Sequence, residues 1–203
     1  MMIYTVEEAL ASIDAGKLVV VQTDTVLGII CDGNNETTVT QLYALKQREA
    51  EKSFVVFIKE QTDVARYVLH IPHYADKFMS VFWPGALTLV FDVKEMPPQP
   101  YLSDNASIGL RIPNAKHLLS LLAKTDKTII STSANLSGQK TLSSLTEAHK
   151  VFGDDVLYWD YRIEEQVMSC PSTVVDARAE AGWQILREGA LTKEVLWQAL
   201  DNE

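Results

Sequence analysis

The chain has 203 residues, 47% hydrophobic and 22% charged, which is the composition of an ordinary globular protein able to bury a sizeable core. Eighteen basic against twenty-seven acidic residues give a net charge of -9, so polyanions are repelled overall and any nucleic-acid contact requires a local basic patch. The start, "MMIYTVEEAL", lacks the basic head and apolar core of a signal peptide, and no apolar run approaches the roughly 18 residues of a membrane span. With Cys31 and Cys170 expected as reduced, buried thiols, the expected location is cytoplasmic, away from any membrane.

Helical and strand patterns then alternate. "TVEEALASIDAG" opens on Thr5 as N-cap, carries Glu8 three residues later to complete a capping box, and stops at Gly16. "KLVVVQ", Lys17 to Gln22, follows as a short β-branched strand. "NNETTVTQLYALKQR" repeats apolar residues at Val39, Leu42 and Leu45, which is helical spacing, and "SFVVFI" is a strand. Tyr74, Phe78 and Phe82 share one face of a helix that Pro72 opens. "WPG" ends that helix, a purely structural role, before the strand "ALTLVFD". Beyond the Pro-rich "EMPPQPYLSDN" come the strand "SIGLRIP", the helix "NAKHLLSLLAK", the strand "KTIIS" and a helix near "SLTEAHKVF". Short strands "DVLYW", "STVVDA" and "WQILR" and a helix from Thr192 complete the series. Without repeats or a linker, this alternation predicts a single α/β domain over residues 1–203 with a mixed sheet.

Several chemistries are missing. "SGQKT" lacks the earlier glycine of a phosphate loop, and Gln139 separates Gly138 from Lys140. There is no GxGxxG and no GxSxG, and His70, His73, His117 and His149 show no metal-ligand spacing, so no metal site is expected.

What is present is a set of polar clusters. "QTDTV" leaves the first strand with two threonines around Asp24. "LKQREAEK" leaves a helix with Lys46, Arg48 and Lys52. Ser107 and Arg111 of "SIGLRIP" stand four apart and so on one strand face. "STSAN" supplies Ser131, Ser133 and Asn135, the two serines sharing a face if the strand runs that far. Each alone has a bland explanation: a capped turn, a solvated helix end, or a strand polar group satisfied locally. Together, cations and short neutral donors at strand ends suit a nucleotide or other polyanion held without a phosphate loop.

"VVQTDTVLGI", "LKQR", "WPGALTLV", "IGLRIP", "STSANLSG", "PSTVVDA" and "ILREGA", in this order from about residue 10 to 190, resemble the YrdC-like family of L-threonylcarbamoyladenylate synthases. The resemblance implies a twisted α/β sheet flanked by helices, with a concave ligand face. It implies a nucleotidyltransferase that joins L-threonine, bicarbonate and ATP, with Mg²⁺, into threonylcarbamoyl-AMP and pyrophosphate. The product feeds N6-threonylcarbamoyladenosine formation in tRNA through a separate transferase complex. Longer members carry an extra C-terminal domain, and none is expected in a chain ending at Glu203.

By motif, Lys46, Arg48, Ser133 and Asn135 match the family's KxR and SxN and are the implied catalytic set. Arg48, Lys52, Ser107, Ser133, Thr141 and Arg187 are implied ATP contacts. Thr25, Arg111, Ser131 and Ser172 are implied threonine contacts. The sequence departs from the family where Gln22 stands for a proline, Leu27 for a tyrosine, Ser53 for a proline and Phe57 for a histidine near the substrate. The ATP side is thus expected intact and the amino-acid side altered. Two rival expectations follow: a tRNA or double-stranded RNA binding module of the same fold, and a paralogous adenylating enzyme with another acceptor.

Overall fold

The computed structural model describes residues 1–47, 54–94, 99, 101–102, 106–161 and 170–201. Along the first half run β1 (Met2–Ile3), α1 (Val6–Asp14), β2 (Val19–Gln22), β3 (Leu27–Asp32), α2 (Glu36–Lys46), β4 (Val55–Phe57), a 3₁₀ turn (Gln61–Arg66), α3 (His73–Phe82) and β5 (Leu87–Asp92). The second half adds β6 (Ser107–Arg111), α4 (Lys116–Ala123), β7 (Ile129–Ser133), α5 (Leu145–Phe152), β8 (Leu157–Trp159), β9 (Thr173–Asp176), β10 (Gln184–Arg187) and α6 (Lys193–Asp201).

Local chemistry sets the boundaries. The α1 capping box forms as expected: Thr5 Oγ1 accepts from the Glu8 amide at 3.1 Å, and Glu8 Oε2 accepts from the Thr5 amide at 2.9 Å. Asn35 caps α2 through Oδ1, which accepts from the Thr38 amide at 3.1 Å. Two strands are additional to the expected set. β1 is two residues long, too short to show a period. β3 is buried at all six positions, so "LGIICD" carries no alternation that would mark it as a strand.

The ten strands form one mixed sheet in the order β1-β8-β2-β3-β7-β4-β6-β5-β9-β10. β4–β6 and β5–β9 are parallel, while β3–β7, β7–β4 and β6–β5 are antiparallel. One face is roofed by α2, α3, α5 and α6. There Leu27, Ile29, Val56, Leu87, Leu89, Leu110 and Val175 pack beneath Leu42, Phe78, Phe152 and Leu196 in the main core. The opposite face is covered over only part of its width. Val19, Val21, Ile30 and Ile129 meet Ala9 and Ile13 of α1 and Leu118, Leu121 and Leu122 of α4 in a second core.

β7 crosses the boundary of that cover. Its positions on this face read Ile129, Ser131, Ser133: the isoleucine belongs to the second core, and the serines line a cavity. The site lies on the part of the sheet that α1 and α4 leave bare.

Candidate active site

The cavity holds about 240 Å³. Its floor comes from alternate residues of five neighbouring strands: Ser131 and Ser133, Val55 and Phe57, Gly109 and Arg111, Thr88 and Val90, and Val174. The register places Phe57 beside Arg111 and Val55 beside both Gly109 and Ser131. Small side chains make the floor low. A Cβ on Gly28 would stand 3.3 Å from Ser131 Oγ and 3.4 Å from the Thr132 carbonyl, inside the hollow's wall.

Arg111 is 4% exposed and held from three sides. Nε donates to Gly85 O at 2.9 Å, Nη1 to Thr25 Oγ1 at 3.0 Å, and Nη2 to Asp24 Oδ1 at 2.7 Å. Burial lowers its pKa, and the Asp24 carboxylate opposes that shift. Three of its five N–H groups are spent, so one on each terminal nitrogen is left among the described residues. Its Cζ lies 6.0 Å from the centre of the Phe57 ring. Gly85 belongs to "WPG", which therefore aims the arginine as well as ending α3.

The "QTDT" turn is both a capped turn and part of the wall. Thr23 Oγ1 donates to Val26 O at 2.7 Å and accepts from the Thr25 and Val26 amides. With its proton and both lone pairs so engaged, Thr23 Oγ1 also lies 3.0 Å from Thr25 Oγ1. Thr25 Oγ1 also accepts from Arg111, which leaves it a lone pair for a ligand. His117 of α4 pins the turn's start, Nε2 donating to Gln22 O at 2.8 Å.

In "STSAN" the residues divide. The Ser131 hydroxyl is 6% exposed, lines the cavity and makes no side-chain hydrogen bond to a described residue. Ser133 Oγ donates to Asn135 Oδ1 at 2.5 Å, and Asn135 Nδ2 donates to Leu136 O and Gln139 O, both at 2.8 Å. Lys46, 2% exposed, donates from Nζ to the Ser133 carbonyl and to Asn135 O at 2.9 Å. Lys46 and Asn135 thus sit behind the wall and brace the turn that carries Ser133.

On the far side, Ser172 is 4% exposed and bonded to Thr88 Oγ1 at 2.9 Å. Arg187, solvent-exposed as a residue, reaches in to donate from Nη2 to Ser172 O at 2.8 Å and Ser172 Oγ at 3.2 Å. Its pKa is lowered by burial of its head and by the charge of Arg111, with Cys170 opposing. Two guanidinium groups therefore feel one another across one hollow. Behind this wall Gly189 meets Pro171 so closely that a Cβ would stand 2.3 Å from Pro171 O.

The structure brings Thr25, Arg111, Ser131, Ser133, Ser172 and Arg187 to one cavity, with Lys46 and Asn135 supporting it. Ser107 begins β6, four residues and roughly 13 Å from Arg111, and neither it nor Thr141 lines the hollow. Arg48, Lys52 and Ser53 lie outside the described residues. Of the departures, Phe57 lines the cavity, whereas Leu27 points into the main core. Thr88, Asp24, Gly85 and His117 are the contributors that sequence reasoning left without a role at this site. Among the described residues no three His, Cys, Asp or Glu side chains gather as a metal site, and no helix is long and apolar enough to cross a membrane.

The profile of the family described as "Telomere recombination", Sua5–YciO–YrdC, matches residues 11–189. The chain belongs to this family. It is 30% identical over 177 residues to the threonylcarbamoyl-AMP synthase of Pseudoalteromonas translucida, covering 85% of this chain and 93% of that protein. It is 32% identical over 154 residues to the synthase of Idiomarina loihiensis, covering 75% of this chain and 82% of the other. Its fold superposes on P. abyssi Sua5 in complex with L-threonine with a TM-score of 0.89 and 26% identity over 98% of this chain. The chain spans 61% of that Sua5 chain. E. coli YciO shares the fold, at a TM-score of 0.84 and 19% identity over 97% of this chain and 98% of that one.

Proposed function

We propose that the protein is a threonylcarbamoyl-AMP synthase, a nucleotidyltransferase acting on L-threonine, bicarbonate and ATP. The observation that carries this reading is the convergence of Arg111 and Arg187 on one cavity whose other polar groups are hydroxyls. A buried positive site with short neutral donors suits a carboxylate and a polyphosphate together. The synthases of similar length and the threonine-bound Sua5 support the assignment of those anions.

In this reading the two unspent N–H groups of Arg111 take the threonine carboxylate. Thr25, with a lone pair left over from its Arg111 bond, faces the amine, and Ser131 and Ser172 complete the amino-acid contacts. Arg187 and Ser133 contact ATP, with Arg48, Lys52, Ser107 and Thr141 as further contacts along it, while Lys46 and Asn135 hold Ser133 in place. The amine adds to bicarbonate and releases water, giving a carbamate. A carbamate oxygen then attacks the α-phosphorus and pyrophosphate leaves. The nucleophile is already an anion, so the site has mainly to position it and neutralise charge. Mg²⁺ supplied with ATP would add charge neutralisation, while Arg187 and Ser133 would hold the nucleotide.

The product would be consumed in the cytoplasm by the transferase that modifies tRNA. With a net charge of -9, direct RNA contact would need a local basic patch. The test is pyrophosphate release from ATP and Mg²⁺ with each substrate omitted in turn. Release that requires both threonine and bicarbonate is expected; release indifferent to threonine overturns the reading.

A further inference from the structure

We propose that Thr88, acting with Ser172, selects the amino-acid substrate by its side-chain hydroxyl. This rests on the reading of the cavity as an amino-acid site. Thr88 is the polar residue of β5 on the cavity face, while Leu87, Leu89 and Phe91 point into the main core. It pairs with Val174 of β9, and continuing the Leu89–Leu110 register by one residue sets it beside Arg111. Side chains so placed are immediate neighbours on one sheet face. An amino acid whose carboxylate lies on Arg111 has Phe57 on one side and Thr88 on the other, and of these two only Thr88 offers its β-substituent a polar partner.

The hydroxyl's direction is fixed from both sides. The Thr88 methyl Cγ2 lies 3.4 Å from the position a Cβ on Gly109 would take, so the methyl uses the space that this glycine leaves. The oxygen turns the other way, to Ser172 Oγ at 2.9 Å. The two hydroxyls have two protons, and their mutual bond uses one. Ser172 Oγ also accepts from Arg187, and among the described residues neither hydroxyl makes a further side-chain bond. Whichever hydroxyl donates to the other, the pair offers one proton and two lone pairs.

That set complements a ligand hydroxyl, which both accepts and donates. Val90 and Val174, flanking on the same face, suit the methyl of threonine. Thr88 is 1% and Ser172 4% exposed, so an analogue without the hydroxyl would cover an unsatisfied buried proton.

The experiment measures pyrophosphate release with ATP, Mg²⁺ and bicarbonate, comparing L-threonine with L-2-aminobutyrate, which lacks only the hydroxyl. Wild type should prefer threonine by at least about tenfold in kcat/KM. Thr88→Val should lose most of that preference through KM for threonine, with KM for ATP unchanged, and Thr88→Ser should restore it. Should Thr88→Val fail to fold, Ser172→Ala removes the pair's other hydroxyl and should narrow the preference in the same way. Equal loss on both amino acids, or an intact preference, overturns the proposal while leaving the synthase reading in place. No amino-acid-dependent release by wild type overturns both.

Discussion

The same face of the same sheet has two characters. Where α1 and α4 cover it, Val19, Val21, Ile30 and Ile129 form a dry core. A few ångströms further, where none of the described helices covers it, Ser131, Ser133, Gly28, Gly109, Thr88 and Arg111 stand among Val55, Phe57, Val90 and Val174. The strands alternate in the same way in both parts, and their opposite faces are largely apolar, Thr132 and Thr173 apart. The polarity change therefore answers to what lies above the sheet. It teaches that the site lies where none of the described helices covers the sheet and the sequence supplies small and hydrogen-bonding side chains.

Substitutions can break that contrast. The largest expected effect is Arg111→Lys. A lysine cannot make the three separate bonds to Gly85, Thr25 and Asp24 and still present two donors, so threonine-dependent kcat/KM should fall roughly 10³-fold. Near-wild-type activity would show that charge alone suffices. Under the helices the sign reverses: Leu121→Ala should cost about 2–5 kcal/mol in denaturant unfolding while the folded fraction keeps wild-type KM values.

Filling the open part should do the opposite. Gly109→Val places carbon where Thr88 and Val55 already stand 3.4 and 3.8 Å from a Cβ, and should weaken threonine binding about tenfold by calorimetry with thermal stability little altered. The smallest effect lies far from the cavity. Thr5→Ala removes the α1 capping box and should cost ~1 kcal/mol of unfolding free energy with no change in turnover.

Much of this division was legible and part was not, for physical reasons. Strands buried on one face or short and β-branched showed in the pattern, as did the capping box at Thr5. β3 did not, because a strand buried on both sides offers no alternation. Within a strand, spacing put Ser131 with Ser133 and Ser107 with Arg111, and both pairs do share a face. Spacing could not tell which end of β6 meets the hollow, and only Arg111 does. Leu27 and Phe57 looked equivalent as departures from the family pattern, yet register turns Leu27 into the main core and Phe57 onto the opposite face, where it joins the second core and lines the cavity. Gly85 acts through its carbonyl, which every residue has, so no residue type advertises it. Thr88 was hidden because a threonine in "ALTLVFD" is also an ordinary strand former.

The central claim is that the bare part of this face joins an amino acid to a nucleotide through one carbon from bicarbonate. It is tested most directly by incubating the protein with ATP, Mg²⁺, L-threonine and ¹³C-bicarbonate and weighing the products. The account predicts an adenylate that contains threonine and retains the heavy carbon. Products of AMP and pyrophosphate alone, with no labelled adduct, would contradict it.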